Sequence, residues 1–333
     1  MDSTGARGRE RQEADAATAR FPVQLMYEAA SLYYLEDATQ ADIARRLDMS
    51  RPTVSRLLSE ARRTGVVHIE IRQPPSPDDD ELAARAAEVS GLAWVYLSPG
   101  TATGLMGAAL APALSEAITD ASLQPGDVLL VSSGRTVYEA AQATLPQLPG
   151  VVLAPTVGGQ DEPEAWYQTN EITRAVAAKV GGRPTFLYAP ALPGPDLHQL
   201  LLDEPSIRRV VELWEQASCV ILGVGAPPLH RQSIPQFVPI DALSLGDAVG
   251  DVCSRFFDRD GNPVEFPGSD RLIATGLDVL QRIPYGIAVA AGVEKAPALL
   301  AGARAGYFNR LVTDSTTARS LVELADNKRQ EEP

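Results

Sequence analysis

The chain reads as an α/β protein: a small N-terminal helix-turn-helix unit, then a larger domain built on a parallel sheet. Three observations predict this. Residues 39–63, TQADIARRLDMSRPTVSRLLSEARR, form two short amphipathic helical patterns joined by a tight turn. A proline-rich break follows at Pro74-Pro75-Ser76-Pro77. From Leu92 onward, apolar strand-like runs alternate with helical patterns. At 333 residues the length suits two domains. The expected division is a tail at 1–19, a helix-turn-helix domain at 20–73, a linker at 74–80, a ligand-binding body at 81–327 and a tail at 328–333.

The first helix is predicted to start at Thr39, a good N-cap, and to run through Leu47. Ile43 and Leu47 lie four apart on one face, and Ala44 is small enough for close helix contact. Asp48-Met49-Ser50 is the turn. Asp48 is expected at positive φ, where aspartate costs more than glycine but less than most residues. Ser50 caps the second helix, and Pro52 falls in its first turn, where it costs no hydrogen bond. Val54, Leu57, Leu58 and Ala61 form its buried stripe. Gly65 ends it, and Val66–Ile71 reads as a strand.

The opposite face carries Arg51, Thr53, Ser55, Arg56, Arg62 and Arg63. In a helix-turn-helix the second helix enters the DNA major groove, and its early residues reach base edges. Arg51, Thr53 and Arg56 are therefore candidate base readers, with Ser55 on the same face; Arg62 and Arg63 are candidate phosphate contacts. Thr39, Gln40 and Ser50, at the helix starts, complete the candidate DNA-binding set. A plain helical hairpin with solvated arginines is the bland alternative. The joint pattern of Ala44, the turn, Val54 and Leu57 favours DNA reading.

The charge distribution agrees. The net charge is −14, which argues against nonspecific nucleic-acid binding by the whole chain. Residues 1–73 hold eleven basic and eleven acidic side chains, so the negative charge sits in the body. Residues 45–63 alone hold six arginines against Asp48 and Glu60. The two cysteines, Cys219 and Cys253, have no ligand spacing, so neither a disulfide framework nor a metal site is expected. Cys219 reads as a buried thiol beside an apolar strand. No segment has the apolar length of a membrane span, and MDSTGARGRERQEADAATAR lacks an apolar signal core, so a cytoplasmic chain is expected.

In the body, strands are expected at Leu92–Leu97, Asp127–Ser132, Val151–Thr156, Thr185–Tyr188, Val220–Val224, Gly286–Ala290 and Arg310–Thr313. Helices are expected at Thr103–Ile118, Thr136–Leu145, Glu171–Val180, Ile207–Gln216, Lys295–Ala305 and Thr317–Leu324. Parallel sheets of this kind bind ligands at the carboxyl ends of their strands. Ser132-Ser133-Gly134-Arg135-Thr136 follows a strand and opens a helix, which suits a phosphate; a plain glycine turn explains it as well. Gly158-Gly159-Gln160 follows the next strand, and Asn170 caps a helix. Lys295 falls in the first turn of a helix, where the dipole disfavours a cation unless an anion is near; an exposed surface lysine is the alternative. Asp251, between glycine and an apolar run, is a further candidate, while Asp260-Gly261 reads as a hairpin turn. His68, His198 and His230 receive no chemical role. Trp94, Trp166 and Trp214 read as packing residues, with Trp166 placed to flank a pocket.

These motifs, in this order, resemble the SorC family of sugar-responsive bacterial transcription regulators. The likeness rests on TQADIARRLDMSRPTVSRLLSEARRTGVVHIEI, GRTVYEAA, PTVGGQ with Asn170 and LYAP, LGDAVGDVCSRFFDRDG, and IPYGIAVAAGVEKAPALLAGARAGYFNRLVTD. It implies a Rossmann-like effector domain similar to sugar-phosphate isomerases. It also implies operator DNA and a sugar or sugar phosphate as partners, and a homo-oligomer, dimer or tetramer. By the resemblance, Ser133–Thr136 form one ligand loop and Gly158–Gln160 a second. Asp251 then faces sugar hydroxyls, and Lys295 pairs with phosphate. No cofactor, metal or catalytic residue is expected. An active isomerase or deaminase with an appended DNA-binding unit is the alternative; it would need positioned acid and base groups, and only Asp251 offers itself.

Overall fold

The computed structural model describes residues 21–67, 77–98, 106–228, 231, 234–239 and 243–331. The chain divides into two compact units, Met1–Arg72 and Gln73–Pro333. The expected 1–19 tail, His68, His230 and the strand residues beyond Val67 lie outside the described residues; Val66 and Val67 are not in a strand.

Among the described residues the first unit has three helices: α1 Val23–Tyr34, α2 Gln40–Arg46 and α3 Arg51–Arg63. The last two are the expected pair. Val54, Leu57, Leu58 and Ala61 of α3 pack with Ile43 and Ala44 of α2. The sequence reading did not single out α1, which adds Met26, Ala29 and Ala30 to the same core. Asp48 sits at φ +50° and Gly65 at φ +78°, as the turn and helix stop require.

The second unit opens with α4, Pro77–Ser90. Asp78, Asp79 and Asp80, expected in a linker, form its first turn, where acidic side chains suit the helix dipole. The strands and helices then alternate: β1 Trp94–Ser98, α5 Met106–Asp120, β2 Val128–Val131, α6 Arg135–Ala140, β3 Val152–Pro155 and α7 Thr169–Val180. Next come β4 Arg183–Pro184, α8 Pro195–Asp203, α9 Pro205–Glu215 and β5 Ala217–Gly223. After an inserted hairpin region with β6 Gly250–Val252, β7 Arg255–Phe257 and β8 Pro263–Val264, the alternation resumes. It ends with α10 Leu277–Arg282, β9 Tyr285–Val289, α11 Ala296–Arg304, β10 Arg310–Asp314 and α12 Ser315–Glu331. The helix α12 continues past 327, where a tail was expected.

Seven strands form one parallel sheet in the order β1-β10-β9-β5-β2-β3-β4. Side chains alternate across it. Val128 and Leu130 of β2 join one apolar layer; Leu129 and Val131 join the layer on the other face. Strand order reverses between β2 and β5, so the loops after these strands diverge and leave a crevice at their carboxyl ends. The small antiparallel sheet β6-β7-β8 is tied to that end by a bridge between Gly225 and Asp251.

Several elements differ from the sequence expectation. Thr185–Tyr188 is not a strand; β4 is only Arg183–Pro184. Pro184 offers no N–H, and the Asn170 side chain takes the Leu187 N–H at 3.0 Å and its carbonyl at 3.1 Å. Asn170 is therefore a clamp inside α7 rather than its cap. The helix α6 stops at Ala140, short of Leu145. Trp94 is 59% exposed, not packed, whereas Trp214 is buried and donates to Pro155 O at 2.8 Å. Cys219 is fully buried, in β5 itself. The turn at Asp260-Gly261 joins β7 to β8, with Gly261 at φ +82°.

Candidate functional site

In the first unit the candidate DNA-binding residues lie on capped helices. Thr39 Oγ1 accepts from Asp42 N at 3.2 Å, and Gln40 begins α2. Ser50 Oγ accepts from Thr53 N at 3.3 Å and lies 2.8 Å from Thr53 Oγ1, so the two hydroxyls hold each other. Arg51, Ser55 and Arg56 are exposed along the early part of α3. Later on the helix, Arg62 Nε donates to Leu58 O at 3.3 Å, and Arg63 forks onto Glu60 at 2.7 and 3.0 Å. The early arginines are thus presented outward, while Arg62 and Arg63 are held against their own helix.

In the second unit a cavity of about 500 Å³ opens where β2 and β5 diverge. It collects seven candidates from separate loops: Ser133, Gly134, Arg135, Thr136, Gln160, Asp251 and Lys295. Gly134 stands at φ +128°, a conformation L side chains rarely adopt, and donates its N–H to Trp166 O at 2.9 Å. This fastens the first loop beneath Trp166, which lines the cavity with Arg135 stacked 4.9 Å from its ring centroid. Arg135 Nε also lies 3.4 Å from Glu139, whose buried carboxylate accepts from Gly107 N at 2.9 Å.

The remaining candidates stand behind the lining. Ser132 Oγ accepts from Gly223 N at 2.8 Å, joining the ends of β2 and β5. Gly158 allows a close backbone crossing, because a Cβ there would meet Ala189 O at 2.6 Å. Gly159 exchanges 2.7 Å backbone bonds with Ala189 and Ala191. These glycines hold a neighbouring segment in place; of their loop only Gln160 reaches the cavity. Its Nε2 donates to Ser133 Oγ at 3.2 Å, while the buried Oε1 has no partner among the described residues. An orphaned acceptor costs about 1–3 kcal/mol, which a ligand donor would recover.

Sequence reasoning missed Arg231, Glu294 and Ser254, all on the wall. Arg231 pairs with Asp251, and its Nε donates to Ala226 O at 2.5 Å. No local pattern marks it. Asp251 thus does not stand free. Lys295 is half-buried in the one-turn 3₁₀ segment Val293–Lys295 that leads into α11. Burial holds its pKa below the ordinary lysine value, partly opposed by the Glu294 carboxylate. The wall therefore carries three cations, Arg135, Arg231 and Lys295, against two carboxylates, Asp251 and Glu294. In a chain of net charge −14, this is a local anion-attracting site. Among the described residues no cluster of three or more His, Cys, Asp or Glu could hold a metal ion.

Residues 85–323 match the family model described as "Putative sugar-binding domain", and residues 30–64 match that of sigma-70, region 4. The crystal structure of the full-length sorbitol operon regulator SorC from Klebsiella pneumoniae superposes with a TM-score of 0.71. It is 28% identical, covering 90% of this chain and 98% of that one.

This chain belongs to the SorC family. Another relative, the deoxyribonucleoside regulator of Bacillus subtilis (strain 168), is 33% identical over 308 residues, 90% of this chain and 97% of its own length. The LsrR transcriptional regulator of Klebsiella pneumoniae is 30% identical over 319 residues, 91% and 94% of the two chains. As a SorC-family member, the chain is a transcription regulator with a DNA-binding helix-turn-helix and a sugar-binding effector domain. None of its described helices is long and apolar enough to cross a membrane.

Proposed function

We propose that this SorC-family regulator senses a small phosphorylated sugar in the β2/β5 cavity, and that binding changes its affinity for operator DNA. One observation carries the reading: three cations and the orphaned Gln160 acceptor converge on one cavity at the strand switch point. Arg135 and Lys295 suit the phosphate, since Arg231 is taken up by Asp251. Asp251 repels phosphate and so faces the hydroxyl end. Gln160 accepts from another hydroxyl. Asp251, the candidate base of an isomerase, is engaged by Arg231, which supports sensing over catalysis.

On the DNA, Arg51, Thr53 and Arg56 read bases, with Ser55 beside them; Thr39, Gln40, Ser50, Arg62 and Arg63 contact the backbone. One reading head makes few base contacts, so the regulator acts as a cytoplasmic homo-oligomer on a pseudo-palindromic operator. The exposed leucines Leu197 and Leu200 of α8 offer apolar surface for such contacts. A monomeric mass by light scattering, with and without DNA, would refute the oligomer.

A thermal-shift screen of pentose and hexose phosphates against the free sugars tests the effector. A ligand at one hundred times its Kd adds about 2.7 kcal/mol of stability. Stabilisation by phosphorylated members is expected. A shift with free sugars alone would remove the phosphate, and no shift from any member would remove the sensing role of the cavity.

A further inference from the structure

The wall of the cavity holds a turn that the proposed phosphate chemistry does not use. Val252 of β6 pairs with Arg255 of β7, so Cys253 and Ser254 form a two-residue hairpin turn. Both stand at positive φ, +52° and +61°, the type I′ pattern. That turn favours Asn-Gly, since side chains with a Cβ are strained there. Neither residue here is glycine or asparagine. Both are more than nine-tenths buried, and both line the cavity.

Strain of this kind persists only where the surroundings over-determine it. Here they do. The Arg255 guanidinium donates to the carbonyls of Ala274, Leu272 and Thr275 at 3.1–3.3 Å. The Gly225–Asp251 bridge holds the other side of the hairpin. The turn is therefore fixed against the cavity at a conformational cost that glycine would relieve.

The two side chains differ in what they offer. Burial pushes the Cys253 thiol up to about 12, so it is a neutral, apolar part of the wall. The Ser254 hydroxyl makes no hydrogen bond among the described residues, and the cavity is its open side. Gln160 Oε1 is a second unpartnered polar atom of the same cavity.

We propose that Ser254 is a specificity-determining residue that reads one hydroxyl of the effector, and that the strained Cys253-Ser254 turn exists to present it. This rests on the sugar-sensing reading above.

The test separates strain from recognition. Ser254→Gly removes both the Cβ and the hydroxyl; Ser254→Ala keeps the Cβ and removes only the hydroxyl. The wild type and both variants are melted alone. They are then titrated with ribose 5-phosphate, glucose 6-phosphate and fructose 6-phosphate, and with 2-deoxy and epimeric analogues of whichever binds. Ser254→Gly should raise the ligand-free melting temperature by about 2–4 °C, and Ser254→Ala should leave it nearly unchanged. Both should bind the preferred sugar phosphate about tenfold more weakly. Both should bind the analogue lacking the hydroxyl that Ser254 reads as the wild type does.

Equal weakening of every analogue, or unchanged affinities, would overturn the assignment while leaving the sensing role intact. A fall in melting temperature for Ser254→Gly would overturn the strain account. A wild type that binds no member would overturn the sensing reading, and this inference with it.

Discussion

Arg231 and Asp251, twenty residues apart, form an ion pair inside the cavity, with each side chain only 15% exposed. A buried pair of this kind stands on balanced terms: desolvation opposes the attraction, and removing one partner leaves the other uncompensated. Asp251 thus holds Arg231 back from any anion that enters the cavity. Asp251→Asn should therefore strengthen inorganic phosphate binding while weakening the sugar phosphate, whose hydroxyl end loses its carboxylate. Calorimetric titration with both ligands decides it. Strengthening of both by the same factor would place Asp251 beside the phosphate.

Lys295 should give the site a pH dependence. Burial lowers its pKa below 10.5, so the ligand-free site penalises the charged amine. A bound phosphate favours the charged form and raises the pKa again. Affinity is then full below the lowered pKa and falls as pH rises through it, with proton uptake on binding in that window. The burial cost to folding runs the other way: present below the lowered pKa, it fades as pH approaches 10.5. Lys295→Arg should flatten the loss of affinity, because guanidinium stays charged. Titrations upward from pH 7.5 in buffers of different ionisation enthalpy measure both effects.

Lys295→Ala should weaken a phosphorylated sugar far more than its free counterpart. A charge-assisted bond contributes about 1.5–3 kcal/mol, roughly tenfold to a hundredfold in affinity. Equal loss for both sugars would move the phosphate away from Lys295.

Arg56→Ala should cost roughly 1–3 kcal/mol on the operator if Arg56 makes a bidentate base contact. Random DNA should lose less. Equal losses on both would show a phosphate contact, and no loss on either would remove Arg56 from the interface. Gel-shift titration at one fixed salt concentration makes the comparison.

Asp48, exposed at φ +50°, should be improvable. Asp48→Gly should stabilise the first unit by up to about 1 kcal/mol, since glycine takes positive φ without a Cβ clash. Slower hydrogen exchange of the α3 amides in the full chain would show it. Faster exchange would mean that the Asp48 side chain stabilises the turn.

Local structure was legible in the order of the residues. Thr39, Ser50, Asp48 and the Val54–Ala61 stripe fixed the helix-turn-helix, because caps, turns and helical periodicity act within a few residues. The strand–helix alternation disclosed the parallel sheet for the same reason. It could not disclose that β4 would stop at Pro184, since the Asn170 side chain that takes over the Leu187 backbone lies 17 residues away. Nor could it tell which loop residues face the cavity. Ser132 and Gly223, 91 residues apart, are joined only because β2 and β5 lie side by side. That adjacency is where the strand order reverses, and it turns separate loops into one site. Arg231, Glu294 and Ser254 enter through it, while Gly158, Gly159 and Asn170 are drawn behind it to hold neighbouring backbone. Local periodicity carries no record of such distant neighbours; strand order and packing supply them.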